Sequence, residues 1–190
     1  MAKENKSKYA LLGILSMCPG SGYDIKKFME QSTSNFWSES YGQIYPILKQ
    51  LVEADLATSH TEKQEGRPER YVYTLTDKGI EELRRWLTEP IEHTVERNEL
   101  LLKLLFGSQN SVASNIEHVK QFWILQEQLL HKYRGIEEYL KANCADDAEL
   151  CYSLITVRYG ILRCQALLTW CEETIDTLNI FAEKNGAVKQ

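Results

Sequence analysis

The sequence predicts a mostly α-helical fold with one small β wing, divided into an N-terminal unit of short elements and a C-terminal unit of long helices. Three observations support this prediction. Apolar residues recur at helical spacing through most of the chain, they alternate only between residues 57 and 75, and after residue 96 the spacing is helical alone. Because Pro90 ends the last short helix, we expect the domains to be residues 1–90 and 91–190.

The composition is that of an ordinary globular protein. Of the 190 residues, 43% are hydrophobic and 26% are charged, which permits a core. The net charge is −5, but residues 1–88 hold 12 basic and 12 acidic side chains, so the acidity lies in the second half. A neutral unit can still present a local basic face. No apolar run is long enough to cross a bilayer, so we expect no membrane partner.

Five cysteines, at positions 18, 144, 151, 164 and 171, predict a reduced, cytoplasmic protein, since they are odd in number and form no CxxC pair. Lysines before the apolar run 9–18 resemble a signal peptide, but Pro19 and Gly20 end that run and favour a mature helix. The last four cysteines form two pairs seven residues apart. A thiol switch or soft-metal site is one interpretation, and apolar packing is the commoner one. We expect no metal and no cofactor.

The first unit reads as helix, helix, turn, helix, with predicted helices at 7–17, at 23–31 and after Ser40. Ser40 is a candidate N-cap, and Gln43 three residues later is its capping-box partner. The inner stripe of this third helix is apolar. Its outer face is small, aromatic and amide-bearing, which suits phosphates and base edges. That face consists of Tyr41, Gly42, Gln43, Tyr45 and Lys49, and Pro46 is expected to bend or delay the start of the helix.

A hairpin follows the third helix, with strands at 57–62 and 70–75. Its polar connection places Lys63 and Arg67 at the exposed tip. A hairpin directly after a recognition-type helix is a wing. Thr76 then caps a fourth helix, whose inner stripe is predicted to be Ile80, Leu83 and Leu87.

The second unit predicts a short apolar helix at 99–106 and two long amphipathic helices at 111–142 and 147–181, each about 50 Å long, with a frayed tail from residue 183. Such helices carry more apolar surface than this unit can cover, which indicates self-association. Three aromatic residues could instead line an effector pocket: Trp123, Tyr133 and Tyr159. The residues predicted to form the dimer interface are Leu101, Leu104, Leu105, Phe122, Trp123, Leu154, Val157, Ile161 and Leu168.

Four spaced blocks resemble the PadR family of bacterial transcriptional regulators, at residues 9–15, 22–25, 42–48 and 66–79. The second half resembles the PadR and virulence-activator-alpha C-terminal region. This resemblance implies a winged helix-turn-helix domain and a homodimer joined by its C-terminal helices. It also implies binding to a palindromic operator, usually as a repressor. Some members with this longer C-terminal region sense phenolic acids, so a small aromatic effector is implied. Gln43 stands where many members have Thr or Ser.

Together these observations predict a DNA-binding regulator and not an enzyme, because the sequence has no Gly-rich phosphate loop and no catalytic cluster. A protein-binding winged-helix adaptor is the alternative, in which the outer face of the third helix is merely solvated. We expect Gln43 to contact a base edge and Tyr41, Tyr45 and Lys49 to contact phosphate or sugar. Lys63 and Arg67 of the wing are expected to contact the minor groove or the backbone. The predicted DNA contacts are Lys8, Lys26, Lys27, Ser40, Tyr41, Gly42, Gln43, Tyr45, Pro46, Lys49, Lys63 and Arg67.

Overall fold

The computed structural model describes residues 5–62, 69–92, 96–143 and 147–187, and the side chains up to residue 184. The chain forms two compact units, Met1–His93 and Thr94–Gln190. The mostly helical fold with a two-stranded wing confirms the predicted fold class. The elements are α1 Ser7–Met17, α2 Gly22–Gln31, α3 Tyr41–Glu53, β1 Ala57–Glu62, β2 Arg70–Leu75, α4 Asp77–Leu87, α5 Glu99–Leu105, a 3-10 turn Gly107–Gln109, α6 Val112–Asn143 and α7 Ala148–Ala187.

One core holds the first three helices together. α1 contributes apolar residues on every side, including Leu11 and Leu12, which are fully buried, so it is the central helix of the unit. α2 and α3 pack their apolar stripes against α1. The remaining buried members of this core are Tyr9, Ile14, Leu15, Ile25, Met29, Ile44, Ile47, Leu48, Leu51, Leu56 and Ala57.

The wing is an antiparallel pair in which Ala57 lies opposite Leu75. The turn before α2 pairs with it as well: the Gly20 N–H donates to the Tyr73 carbonyl at 3.1 Å, and the Tyr73 N–H donates back to Gly20 at 2.9 Å. The start of α4 fits against the wing because residue 79 is glycine. A Cβ there would lie 2.1 Å from the Leu56 carbonyl oxygen.

α4 is joined to α1 through an aromatic stack that the sequence did not predict. Thr76 caps the helix as predicted, accepting the Gly79 N–H at 3.0 Å. The prediction for Leu87 was wrong, because that side chain is exposed. Trp86, one residue earlier, packs on the core and stacks on Tyr9 with ring centroids 4.6 Å apart.

The second unit is built on an antiparallel hairpin of α6 and α7, with α5 packed against α6. Tyr133 occupies the space that a side chain at Gly160 would take, since a Cβ there would lie 2.4 Å from its ring. The helix α7 continues to Ala187, beyond the predicted end at residue 181. The buried members of the hairpin core are Leu130, Tyr133, Leu140, Val157, Ile161 and Cys164.

The described residues, in the ranges given above, lack a membrane-spanning helix and a metal-binding cluster. None of the helices in those ranges is both long and apolar enough to span a bilayer. Among the same residues, no three His, Cys, Asp or Glu side chains are grouped so that they could hold a metal ion. Burial raises the pKa of the Cys164 and Cys171 thiols, so neither is an activated thiolate. Cys144 lies outside the described residues.

Candidate nucleic-acid interface

The start of α3 is organised by the predicted capping box. The Gln43 Oε1 atom accepts hydrogen bonds from the Ser40 backbone N–H at 2.9 Å and from the Ser40 hydroxyl at 2.8 Å. Gly42 beside them is open, because a Cβ there would contact only Ser40 Oγ at 3.7 Å. Pro46 lies inside the helix without ending it. The first turn of α3 is therefore capped, and it is exposed and open at Gly42.

Tyrosines form an exposed surface along the outer side of α3. The rings of Tyr41 and Tyr45 stack with centroids 6.3 Å apart, and they are 43% and 51% exposed. The surface continues onto α2 through Tyr23 and onto β2 through Tyr71, both exposed, and Tyr73 borders it. We call these five residues the tyrosine surface. It gathers side chains from three elements that each bring a hydroxyl donor to one side of the unit.

Electrostatic and packing relations link the members of the tyrosine surface. Partial desolvation raises the pKa of Tyr41, and Glu30, Tyr23 and Tyr45 raise it further. Desolvation raises the pKa of Tyr73 in the same way, with Tyr45 and Tyr71 adding to it. These hydroxyls therefore stay protonated near neutral pH and can donate.

The Tyr45 ring is also the contact between α3 and the start of α2. A Cβ on Gly22 would lie 2.7 Å from Tyr45 Cε1, so the ring rests directly on that glycine. The Tyr45 ring therefore packs on the second helix of the unit. The contact holds the phenol in place while leaving half of it exposed.

Three of the four predicted cationic contacts that lie in the described residues are paired with acidic side chains. Lys8 lies 2.9 Å from Glu82 of α4, and Lys26 lies 3.5 Å from Glu30 of its own helix. Lys49 is 3.7 Å from Glu53, but its side chain is 79% exposed, so that pair is weak. Lys27 is exposed. Lys63 and Arg67 lie outside the described residues.

Arg70 is a cation that the sequence prediction missed, and it lies where the wing strands meet their connecting segment. Its guanidinium lies 2.6 Å from Glu62 on the paired strand and 3.4 Å from Asp24 on α2. Asp24 in turn accepts the Ser21 N–H and hydroxyl in the α2 capping box at 2.9 and 2.7 Å. Opposition of Arg70 and Glu62 across a predicted hairpin was the available signal for this contact.

A buried carboxylate lies just before the cap of α3. Glu39 is 5% exposed, and its Oε1 accepts the Trp37 indole N–H at 3.1 Å. Within the described part of the chain its other oxygen has no hydrogen-bond partner. Glu39 and Trp37 together fix the turn that leads from α2 into α3.

The predicted dimer residues do not share one environment. Val157 and Ile161 are buried in the α6–α7 core of their own chain, and Leu154 and Leu168 pack partly on that core. Val157 and Ile161 are therefore interior residues of the hairpin, whereas the dimer contacts of Leu154 and Leu168 remain predictions. Leu104, Phe122 and Trp123 are half-buried, whereas Leu101 and Leu105 of α5 are exposed.

The three aromatic residues predicted to form one pocket are not brought together. Tyr133 is buried on Gly160, and Tyr159 is exposed on the surface of α7. Trp123 lines a separate open cleft between α6 and α7. The lining of that cleft is Lys120, Trp123, Ile124, Glu172 and Ile175.

The described elements define a class of protein: a winged helix-turn-helix unit with an exposed third helix, followed by a unit of long helices. Residues 11–85 match the family model "Transcriptional regulator PadR-like family", and residues 96–179 match "Virulence activator alpha C-term". The chain belongs to the PadR-like family. It is a transcriptional regulator and not an enzyme, as the sequence predicted.

One relative, compared by its sequence and by two crystal structures, shows how close the similarity is. The negative transcriptional regulator PadR of Bacillus subtilis is 43% identical over 103 residues, which span 53% of this chain and 56% of that regulator's length. The crystal structure of Bacillus subtilis PadR in complex with operator DNA has a TM-score of 0.79 at 30% identity, covering 92% of this chain and 99% of that one. The structure of the same protein with p-coumaric acid has a TM-score of 0.74 at 29% identity, with coverage of 92% and 99%.

Proposed function

We propose that this chain is a cytoplasmic, homodimeric repressor that binds a pseudo-palindromic operator and is released by a small aromatic effector. Residues 1–90 bind double-stranded DNA through α3, the tyrosine surface and the wing. Residues 91–190 hold the dimer and receive the effector. The similar Bacillus subtilis regulator is described as negative and has been crystallised with operator DNA.

The observation that carries the proposal is the tyrosine surface together with the open first turn of α3. Phenol hydroxyls and the N-terminal amides of a helix donate to phosphate oxygens, and they position a protein on a duplex. Gln43 and Gly42 lie at the end of α3 that enters the major groove in helix-turn-helix proteins.

The test of DNA binding is selection of duplexes from random sequence by the purified protein, followed by titration of the recovered site. We expect two half-sites whose centres lie about one helical turn apart. The variant Tyr41→Phe with Tyr45→Phe keeps the rings and removes both hydroxyls, so it should weaken binding to every duplex. Recovery of no preferred sequence would favour the adaptor instead.

The dimer proposal is supported by a stripe of exposed apolar residues on α7. Tyr152, Ile155, Tyr159 and Leu162 recur every three to four residues, and each is more than half exposed. This is the spacing with which one helix packs along another in a coiled coil. On α5, Leu101, Leu102 and Leu105 are exposed as well. A second copy covers such surfaces with the same chemistry.

The oligomeric state of a stripe variant tests this arrangement. Ile155→Glu and Leu162→Glu place carboxylates at exposed positions, so they should leave the fold intact and halve the mass measured by light scattering. The matched control is Thr58→Glu, which places the same carboxylate at an exposed residue of the first unit. A wild-type monomer at micromolar concentration, or a variant that stays dimeric, would contradict the assignment.

The effector proposal rests on the cleft that contains Trp123. One indole ring and two isoleucine side chains provide apolar contact for a flat ring, and the Lys120 ammonium can pair with a carboxylate. The similar regulator has been crystallised with p-coumaric acid, which has both groups. Calorimetric titration with p-coumaric acid should therefore show binding that Trp123→Leu and Lys120→Met each weaken. Tyr159→Phe, outside the cleft, should bind as wild type, and equal loss in all three variants would exclude this location.

A further inference from the structure

We propose that Gln43 is a specificity-determining residue that donates hydrogen bonds to a base edge and does not accept them, so that it selects guanine or thymine over adenine. This inference rests on the proposed function, because it assumes that α3 enters a major groove. It goes further in naming the base chemistry that the helix recognises. The Gln43 amide divides its hydrogen-bonding groups between the helix cap and the outer surface.

The oxygen of that amide is already occupied by the helix itself. Gln43 Oε1 accepts the Ser40 N–H at 2.9 Å and the Ser40 hydroxyl at 2.8 Å. A carbonyl oxygen has two lone pairs, and both are engaged here. Releasing the Ser40 N–H would leave one of the N-terminal amides of the helix without its partner. The oxygen is therefore held toward the cap.

The nitrogen of the same amide remains for a ligand. Gln43 is exposed, and in the described part of the chain the structure records no hydrogen bond from its Nε2 group. That group carries two N–H donors. The neighbouring Gly42 leaves space for a close approach, since even a Cβ there would contact only Ser40 Oγ. Outward from the cap, Gln43 is thus a pure donor.

A pure donor distinguishes bases in the major groove. The usual pairing of glutamine with adenine needs the amide oxygen to accept from N6 while the nitrogen donates to N7. Because the capped oxygen cannot take part, adenine would leave its N6 donors facing another donor. Guanine offers two acceptors, N7 and O6, and thymine offers O4. These edges match the two N–H groups of Gln43.

The experiment uses the duplex recovered by selection, with each of the four bases placed in turn at every position of one half-site. Wild type should prefer guanine or thymine at one position by about tenfold. Gln43→Met has similar length without either amide group and should abolish that preference there alone. Gln43→Glu keeps an oxygen for the cap and directs the other oxygen outward, so it should shift the preference toward cytosine, whose N4 donates.

Two measurements separate the inference from a purely structural role. Where guanine is preferred, 7-deazaguanine should weaken binding by wild type and not by Gln43→Met. Hydrogen exchange of the Ser40 amide should remain slow in Gln43→Glu and become fast in Gln43→Met. Tyr41→Phe, which lies beside Gln43, should weaken binding without changing base preference.

The outcomes that overturn the inference differ from those that overturn the proposed function. A preference for adenine at the position that depends on Gln43 would show that the amide oxygen reaches the DNA. A selective operator in which no position depends on Gln43 would show that this side chain reads no base, while the repressor proposal would stand. Absence of any sequence preference would remove both.

Discussion

The two units of this chain expose very different side chains, although each has its own core. Among the described residues, tyrosines are four of the eight exposed large hydrophobic side chains in the first unit and three of thirteen in the second. Tyrosine presents a hydroxyl with its ring, whereas leucine and isoleucine present only hydrocarbon. The first unit is therefore suited to a polar partner that accepts hydrogen bonds, and the second to an apolar partner.

The two units also differ in how their exposed side chains relate to the stability of the fold. In the first unit the fold depends on one closed core, and the exposed face adds little to it. In the second unit buried and exposed apolar residues alternate along the same helix α7, so that its two sides serve two purposes. Substitutions on the buried side and on the exposed side of α7 should therefore change the unfolding free energy by different amounts, and that contrast can be measured.

The largest effect is expected inside the hairpin. Ile161→Ala removes a side chain that is 3% exposed, which leaves a cavity and should cost about 2–5 kcal/mol of unfolding free energy. Urea titration followed by circular dichroism measures it. Ile180→Ala, on the same helix and 53% exposed, is the matched control and should change the unfolding free energy by no more than about 0.5 kcal/mol. Equal losses would mean that α7 does not have two distinct sides.

A smaller effect is expected at the contact of α1 with α4. Hydrogen bonds from Arg85 and Lys8, with a further one from Tyr9, lower the pKa of Glu82 from 4.5 to about 2. Because the folded-state pKa is depressed, this stabilisation is present above pH 4.5 and is lost as the pH falls toward 2. Glu82→Gln should therefore cost about 1–3 kcal/mol at pH 7 and almost nothing near pH 2.

The measurement for Glu82 is the difference in unfolding free energy between wild type and variant across that pH range. Glu81→Gln, on the exposed side of the same helix, is the control. A difference that is constant with pH would show that the carboxylate contributes by packing and not by charge.

The next effect concerns binding alone. Tyr41→Phe removes one hydroxyl donor from the tyrosine surface and should weaken operator binding by about 0.5–1.5 kcal/mol, which gel-shift titration can resolve. The unfolding free energy should not change, because the ring remains. Tyr139→Phe, an exposed tyrosine of α6, is the control and should bind DNA as wild type. Unchanged affinity in Tyr41→Phe would remove this residue from the interface.

The smallest effect is expected from a single exposed cation. Lys49 has only a weak pair with Glu53, so Lys49→Ala should leave stability unchanged. If it contacts a phosphate, the slope of log K against log salt should fall in magnitude by about 0.9. Lys78→Ala is the control, because the Lys78 ammonium donates to the Ala54 carbonyl of its own chain at 2.7 Å. A slope that does not move would show that Lys49 is only solvated.

Local patterns predicted the elements well because each depended on neighbours in the chain. Strands β1 and β2 have the predicted bounds, and Ser40 with Gln43 forms the predicted cap. Leu87 was predicted to be buried where Trp86 is, because helical spacing fixes the inner face only to within about one residue. The indole of Trp86 is the side chain that packs on Tyr9.

Contacts between distant segments could not be predicted in the same way. An apolar stripe containing Val157 and Ile161 indicates that something covers it, but the covering helix proved to belong to the same chain. Tyr133 lies on Gly160 because that position lacks a side chain, a match between two helices that neither periodicity reveals. Arg70 likewise pairs with Asp24 of α2, which is far away in the chain, so no local pattern could predict that contact.

The two hydrogen bonds between Gly20 and Tyr73 have a mechanical consequence. They join the middle of β2 to the turn that precedes α2. The wing is therefore fixed to the helices of the first unit and does not move as an independent hairpin. A load applied at the wing's far end would be transmitted through Tyr73 to the start of α2, where Tyr45 of α3 also rests on Gly22. In the proposed complex, contact of the wing with one groove of the duplex would therefore set the angle at which α3 enters the next groove.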